Sequence, residues 1–159
     1  MVEENPNVFR KAEEFLQERL PQILAGKKAL QVVVEGYGAN GFWREVKGMK
    51  TGQVAPGLTV VGERQSWYSG VPVMFVIYGG SNGQASRAME EALFSHEQYP
   101  KAQILVMVCG CDAGDYVSKQ AIRRLNSGTI SFVTRTTCRG REIPSLIDAI
   151  IERWQSSER

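Results

Sequence analysis

Glu35, Glu45 and Lys47 form the grouping in this sequence with the most evident chemistry. Glu45 and Lys47 stand two apart in the segment FWREVKGM, and Glu35 lies ten residues before Glu45 across Gly36–Gly41. Residues two apart on a strand share a face, so Glu45 and Lys47 project together. A hairpin turning at 36–41 would lay Glu35 beside them. Paired carboxylates hold Mg²⁺ through hard oxygen ligands. The ion lowers the pKa of a bound water and offsets charge on a phosphate. A lysine alongside orients that water or steadies developing negative charge. The chemistry implied is metal-assisted phosphodiester cleavage, with Mg²⁺ held by Glu35 and Glu45 and assisted by Lys47. Glu14 is a candidate outer ligand.

The elements that must position these groups follow from hydrophobic spacing. Residues 7–25 carry Val8, Phe9, Ala12, Phe15, Leu16, Leu20, Ile23 and Leu24 at helical intervals. Asn7 suits an N-cap and Gly26 a stop. Ala29–Glu35 is a β-branched strand, and Phe42–Met49 alternates as its hairpin partner. Residues 50–57 read as a loop around Pro56-Gly57, and Leu58–Tyr68 begins as a strand and continues ambiguously. Then Val71–Tyr78, Gln103–Cys109 and Thr129–Thr134 read as strands. Gln84–Glu97, Tyr116–Leu125 and Pro144–Trp154 read as helices. Alternation of this kind builds a parallel sheet covered on both faces. The expectation is one α/β domain over 1–159, three-layered. Its central mixed sheet would carry an N-terminal helix and an antiparallel hairpin, followed by parallel β-α units.

On these residues the chain resembles the PD-(D/E)XK, or restriction-endonuclease-like, nuclease superfamily. Glu45-Val46-Lys47 matches the E-x-K half of its motif, followed by Gly48. The stretch Gln65-Ser-Trp67-Tyr-Ser-Gly70-Val-Pro72 is similar to a Gln/Trp helix end and next strand in some members. Glu35 stands where the family usually has Asp, with no Pro before it. The resemblance, over roughly residues 8–110, implies a restriction-endonuclease-like fold and a DNA endonuclease or resolvase-like activity. It also implies Glu45 as a metal ligand, Lys47 as the catalytic lysine, and a homodimer that cuts two strands. A second register within the same family aligns Pro56-Gly57-Leu-Thr-Val-Val and Ile77-Tyr78-Gly79 with the motif. That register has no acids and no lysine, and it implies an inactive relative that binds DNA.

Basic residues supply a nucleic-acid surface for either version. Arg44 and Lys50 flank the hairpin motif, and Arg135, Arg139 and Arg141 follow the last strand, where guanidinium groups grip phosphate oxygens. Trp43, Trp67 and Tyr68 can stack on splayed bases or fill a core. The Glu45/Lys47 alternation is equally what a solvated hairpin face carries. A rival of another class is therefore a non-catalytic interaction or assembly module.

Gly79-Gly80-Ser81-Asn82-Gly83 offers a third reading, a nucleotide or small-molecule site at the start of helix 84–97. It matches G-x-S-x-G, but the one histidine, His96, precedes Asp112, so a hydrolase triad lacks its base. His96, near a helix end, reads as a cap or surface residue. Val34-Glu35-Gly36 and Cys111-Asp112-Ala113-Gly114-Asp115 are similar to the acidic loops of Toprim domains, with Cys in place of the first aspartate.

Composition narrows the setting. The chain has 159 residues, 43% hydrophobic and 23% charged, with net charge +2. These values suit a globular domain with its own core. They do not announce nucleic acid or membrane by charge alone. No run approaches the ~20 apolar residues of a membrane span. The acidic start lacks the basic and apolar parts of an export signal. Three cysteines, Cys109, Cys111 and Cys138, suit reduced thiols, and the expected setting is cytoplasmic.

Overall fold

The computed structural model describes residues 9–37, 48–62, 70–79, 84–109, 130–135 and 142–157. Strand β1 (Phe9–Lys11) leads into helix α1, which is built of Ala12–Glu14, a π-helical turn Phe15–Arg19, and Leu20–Leu24. Then come β2 (Leu30–Tyr37), β3 (Gly52–Ala55), β4 (Leu58–Val61) and β5 (Val73–Gly79). Helix α2 (Gln84–Gln98), β6 (Gln103–Cys109), β7 (Ile130–Arg135) and helix α3 (Glu142–Ser156) complete the described elements.

The strands form one seven-stranded sheet in the order β1-β7-β6-β5-β2-β4-β3. Every neighbouring pair is parallel except β3–β4 at one edge. The sheet is therefore mixed and largely parallel, the parallel part as the alternation of strands and helices predicts. From β5 the chain steps outward to β6 and β7. From β2 it steps the other way to β4. The direction of winding reverses between β2 and β5, the neighbours at the centre.

Central strands of a parallel sheet are buried on both faces, which is why their sequences are nearly continuous apolar runs. Alternation assigns each side chain a face. Leu30, Val32, Val34, Met74, Val76, Leu105 and Met107 pack with α1 and α3 in one core. Val33, Phe75, Ile77, Ile104 and Val106 pack with α2 in the other. Helix α3 buries Ile143, Leu146, Ile147, Ile150, Ile151 and Trp154. That spacing is a single stripe on a 3.6-residue helix. Helix α2 needs only a narrow stripe, Ala88, Met89 and Ala92.

Three expectations change. Phe9–Lys11 pairs with Phe132–Thr134 as a parallel edge strand. Ladder hydrogen bonds thus take the residues that helical spacing assigned to the start of α1. The segment 50–57 is not all loop, because Gly52–Ala55 returns as a strand against β4. Pro56-Gly57 turns it, with Gly57 at φ +80°, the pattern of a tight turn with proline first and glycine second. The antiparallel pair among the described residues is thus β3–β4, while β2 pairs in parallel with both β4 and β5. Residues 42–47 of the predicted partner strand Phe42–Met49, and the predicted helix 116–125, lie outside the described residues.

The predicted stop of α1 holds. The backbone N–H of Lys27 donates to Leu24 O at 3.1 Å, and Gly26 takes φ +74°. Pro144 sits in the first turn of α3, as its fixed φ favours.

Candidate functional site

The reversal of winding defines a place as well as a topology. In open α/β sheets the loops leaving the two central strands diverge to opposite faces. They leave a crevice at the carboxyl ends of those strands, where ligands bind. Here the reversal falls at Glu35–Tyr37 of β2 and Ile77–Gly79 of β5, which run side by side in register: Glu35 with Ile77, Gly36 with Tyr78, Tyr37 with Gly79.

Glu35 is the acidic residue at this point. Strand alternation puts it on the face of Val33, the face that α2 covers. It is half-buried, and its Oε1 is shielded from solvent. Helix α2 packs on β5, β6 and β2. Its first residue, Gln84, follows the glycine-rich stretch that leaves β5 at Gly79. The start of a helix carries partial positive charge, the sign that suits a carboxylate or a phosphate.

The other predicted residues divide by position. Arg135 ends β7 in register with Cys109, the last residue of β6. Both therefore stand on the same carboxyl edge as Glu35. Three strand spacings separate β7 from β2, roughly 14 Å across the sheet. The register runs from Glu35 through Ile77 and Val106 to Phe132. Arg135 is three positions beyond Phe132, roughly 10 Å further out along the strand. Three is an odd number of positions, so strand alternation assigns Arg135 to the sheet face opposite Glu35, and the structure does not bring these two together.

Lys50 is elsewhere. It is exposed and 3.7 Å from Asp148 of α3, so it belongs to the α1/α3 layer, across the sheet from Glu35. The structure does not bring those two together. Arg44, Glu45, Lys47, Arg139 and Arg141 lie outside the described residues, as do Trp43, Trp67, Tyr68, Cys111 and Cys138. Glu14 is exposed on α1, in the α1/α3 layer, so it too lies across the sheet from Glu35. His96 sits in the last turn of α2 as expected, but half-buried, with Nδ1 buried and not hydrogen-bonded. Among the described residues no three His, Cys, Asp or Glu side chains gather as a metal site. Glu35 offers one of the several oxygens that Mg²⁺ requires.

The sequence reading missed Gly36, Tyr78 and Gly79 as a unit. Its signal was present in Ala29–Glu35, an uninterrupted β-branched run of the kind that marks a strand buried on both faces. Such a strand sits mid-sheet, as β2 does between β4 and β5.

Comparison with known protein families, curated proteins and solved structures gives no match. No helix among the described residues is long and apolar enough to cross a membrane.

Proposed function

We propose that the protein binds a phosphate-bearing ligand of nucleotide size in the crevice between the carboxyl ends of β2 and β5. The observation that supports this reading is the reversal of strand order at β2/β5, with Glu35 near the carboxyl end of β2 and Gly79 at the carboxyl end of β5. Each part has a task. The glycines allow main chain to approach a phosphate closely, and the start of α2 favours its charge. A bare carboxylate beside a phosphate repels it. Glu35 therefore accepts hydrogen bonds from a sugar hydroxyl, or contributes an oxygen to a divalent cation that the phosphates share.

The test is thermal unfolding of the protein with ATP, ADP, GTP and inorganic phosphate, each with and without Mg²⁺. A ligand present at a hundred times its Kd adds about 2.7 kcal/mol. For a chain of this length that raises Tm by about 5 °C or more. Absence of any shift across the panel, at millimolar ligand, defeats this reading.

A second reading is favoured by Glu35, its first metal ligand, being half-buried at the carboxyl edge of the sheet. It is a Mg²⁺-dependent, restriction-endonuclease-like DNA endonuclease or resolvase, working as a homodimer, in which Glu35 and Glu45 supply oxygens to the metal and Lys47 assists the attacking water. It predicts Mg²⁺- or Mn²⁺-dependent cleavage of DNA that Lys47→Ala and Glu45→Ala abolish. An inactive relative would instead bind DNA with a steep salt dependence and leave it intact.

A further inference from the structure

At the opposite, amino edge of the sheet lies a cavity of about 600 Å³, beneath the first residues of β2, β5 and β6. Its size falls in the range of small-molecule pockets, ~300–1,000 Å³. Its walls are apolar: Leu30, Val71, Val73, Tyr99 and Ala102 among them. The Tyr99 ring is held by Phe75, with centroids 5.6 Å apart, yet Tyr99 remains 38% exposed. A large aromatic ring is thus fixed in place with one side left toward the opening.

The charged groups at the rim are of one sign: Lys27 and Lys101 line the cavity, and among the described residues no acidic side chain does. Lys27 is held there by its Nζ, which donates to Ile23 O at 2.7 Å. The lining Gln103 turns its Oε1 to the Arg19 guanidinium at 3.1 Å. That leaves its amide N–H₂, a donor, as the end available to a ligand. Apolar walls with cationic and N–H donors at the mouth complement one chemistry: an apolar body ending in a carboxylate.

We infer that this amino-edge cavity is a binding site for a small amphipathic carboxylate, whose apolar body lies against Tyr99 and whose carboxylate meets Lys101 and Lys27. The site is separate from the carboxyl-edge crevice, so its success or failure does not depend on the reading given there.

Decanoate is the probe, below its aggregation range, followed by amide shifts in a ¹H–¹⁵N correlation spectrum, with decyltrimethylammonium as the opposite-charge control. Decanoate is expected to move the amides of Val71, Val73 and Ala102 in a saturable way. Lys101→Glu is expected to weaken it about tenfold or more, the worth of a charge-assisted contact. Lys101 is exposed in a turn, so that variant retains the fold, and Lys101→Met provides the uncharged intermediate. The inference is overturned if those amides do not move. It is also overturned if decyltrimethylammonium binds as well as decanoate, or if Lys101→Glu binds decanoate unchanged. In that last case the lysines serve only the carboxyl ends of α1 and α2, as helix dipoles favour.

Discussion

Arg153 of α3 donates from Nη1 to the main-chain oxygen of Leu16 at 2.6 Å, and this contact repairs a gap that the sequence of α1 creates. In the π-helical turn the N–H of Leu20 donates to Phe15 O, five residues back. The next donor in that series would be residue 21, reaching Leu16 O. Residue 21 is proline and has no N–H. A half-buried carbonyl left without a donor costs on the order of 1–3 kcal/mol, and a guanidinium from the last turn of α3 supplies one.

Arg153→Ala should therefore lower unfolding free energy by about 1.5–3 kcal/mol, as for a hydrogen bond to a charged donor. Arg153→Met, which keeps the apolar stem, should recover only the packing part. Pro21→Ala should help more in the Arg153→Ala background than in the parent, by about 1 kcal/mol, because the new N–H can serve Leu16 O. Urea unfolding of the four proteins measures that difference. Strict additivity would mean that Pro21 and Arg153 do not share this carbonyl.

Gly57 is the second place where backbone geometry decides. It takes φ +80°, and a Cβ there would stand 2.4 Å from Lys28 O and 3.2 Å from Trp154 Cζ2. Neither neighbour can yield cheaply. Lys28 O is main chain, and Trp154 is fully buried with its Nε1 donating to Pro56 O at 2.7 Å. Gly57→Ala should cost on the order of 3 kcal/mol, combining left-handed strain with overpacking. Trp154→Phe should cost about 1 kcal/mol, the net worth of its hydrogen bond. A Gly57→Ala protein with parental Tm would mean the β3–β4 turn is not pinned between Lys28 and Trp154.

Much of this architecture was readable, and the misreadings share one cause. Helix α3 and strands β5 and β6 are plain because Ile143–Trp154 is periodic and Val73–Tyr78 and Ile104–Cys109 are unbroken apolar runs that tertiary context only reinforces. Phe9–Lys11 and Gly52–Ala55 were not. Each is a short edge strand whose state depends on partners remote in the chain, Phe132–Thr134 and Leu58–Val60. Local periodicity carries no information about them. Glu35 stands out in the sequence by its type alone, and local spacing does not show that its strand is the centre of a largely parallel sheet, with β4 beside Leu30–Val33 and β5 beside Gln31–Tyr37. Strand order is a long-range property, and strand order is what creates the crevice.

Lys50 illustrates a surface charge with little energetic weight. Its ammonium is 3.7 Å from the Asp148 carboxylate, with both side chains more than half exposed, 66% and 59%. Solvent screens such a pair, and its contribution should lie below about 1 kcal/mol. Lys50→Ala should leave the urea midpoint nearly unchanged in 0.5 M salt. A loss well above that value would show that Lys50 supports packing of Met49 and α3, not merely an exposed ion pair.

Glu35 provides the sharpest separation between a ligand site and a structural acid. A half-buried carboxyl between apolar strands is an uncommon choice if packing alone is served. Glutamine keeps its length and volume while removing the charge. If the carboxylate serves a ligand, Glu35→Gln should change unfolding free energy by less than about 1 kcal/mol, since surrounding contacts survive the isosteric swap. It should also remove most of the Mg²⁺-dependent Tm shift produced by a nucleotide. If the carboxylate is structural, the pattern reverses: stability falls and the ligand shift persists. Measuring unfolding and the ligand-induced shift on the same variant distinguishes the two, because activity alone would fall in both cases.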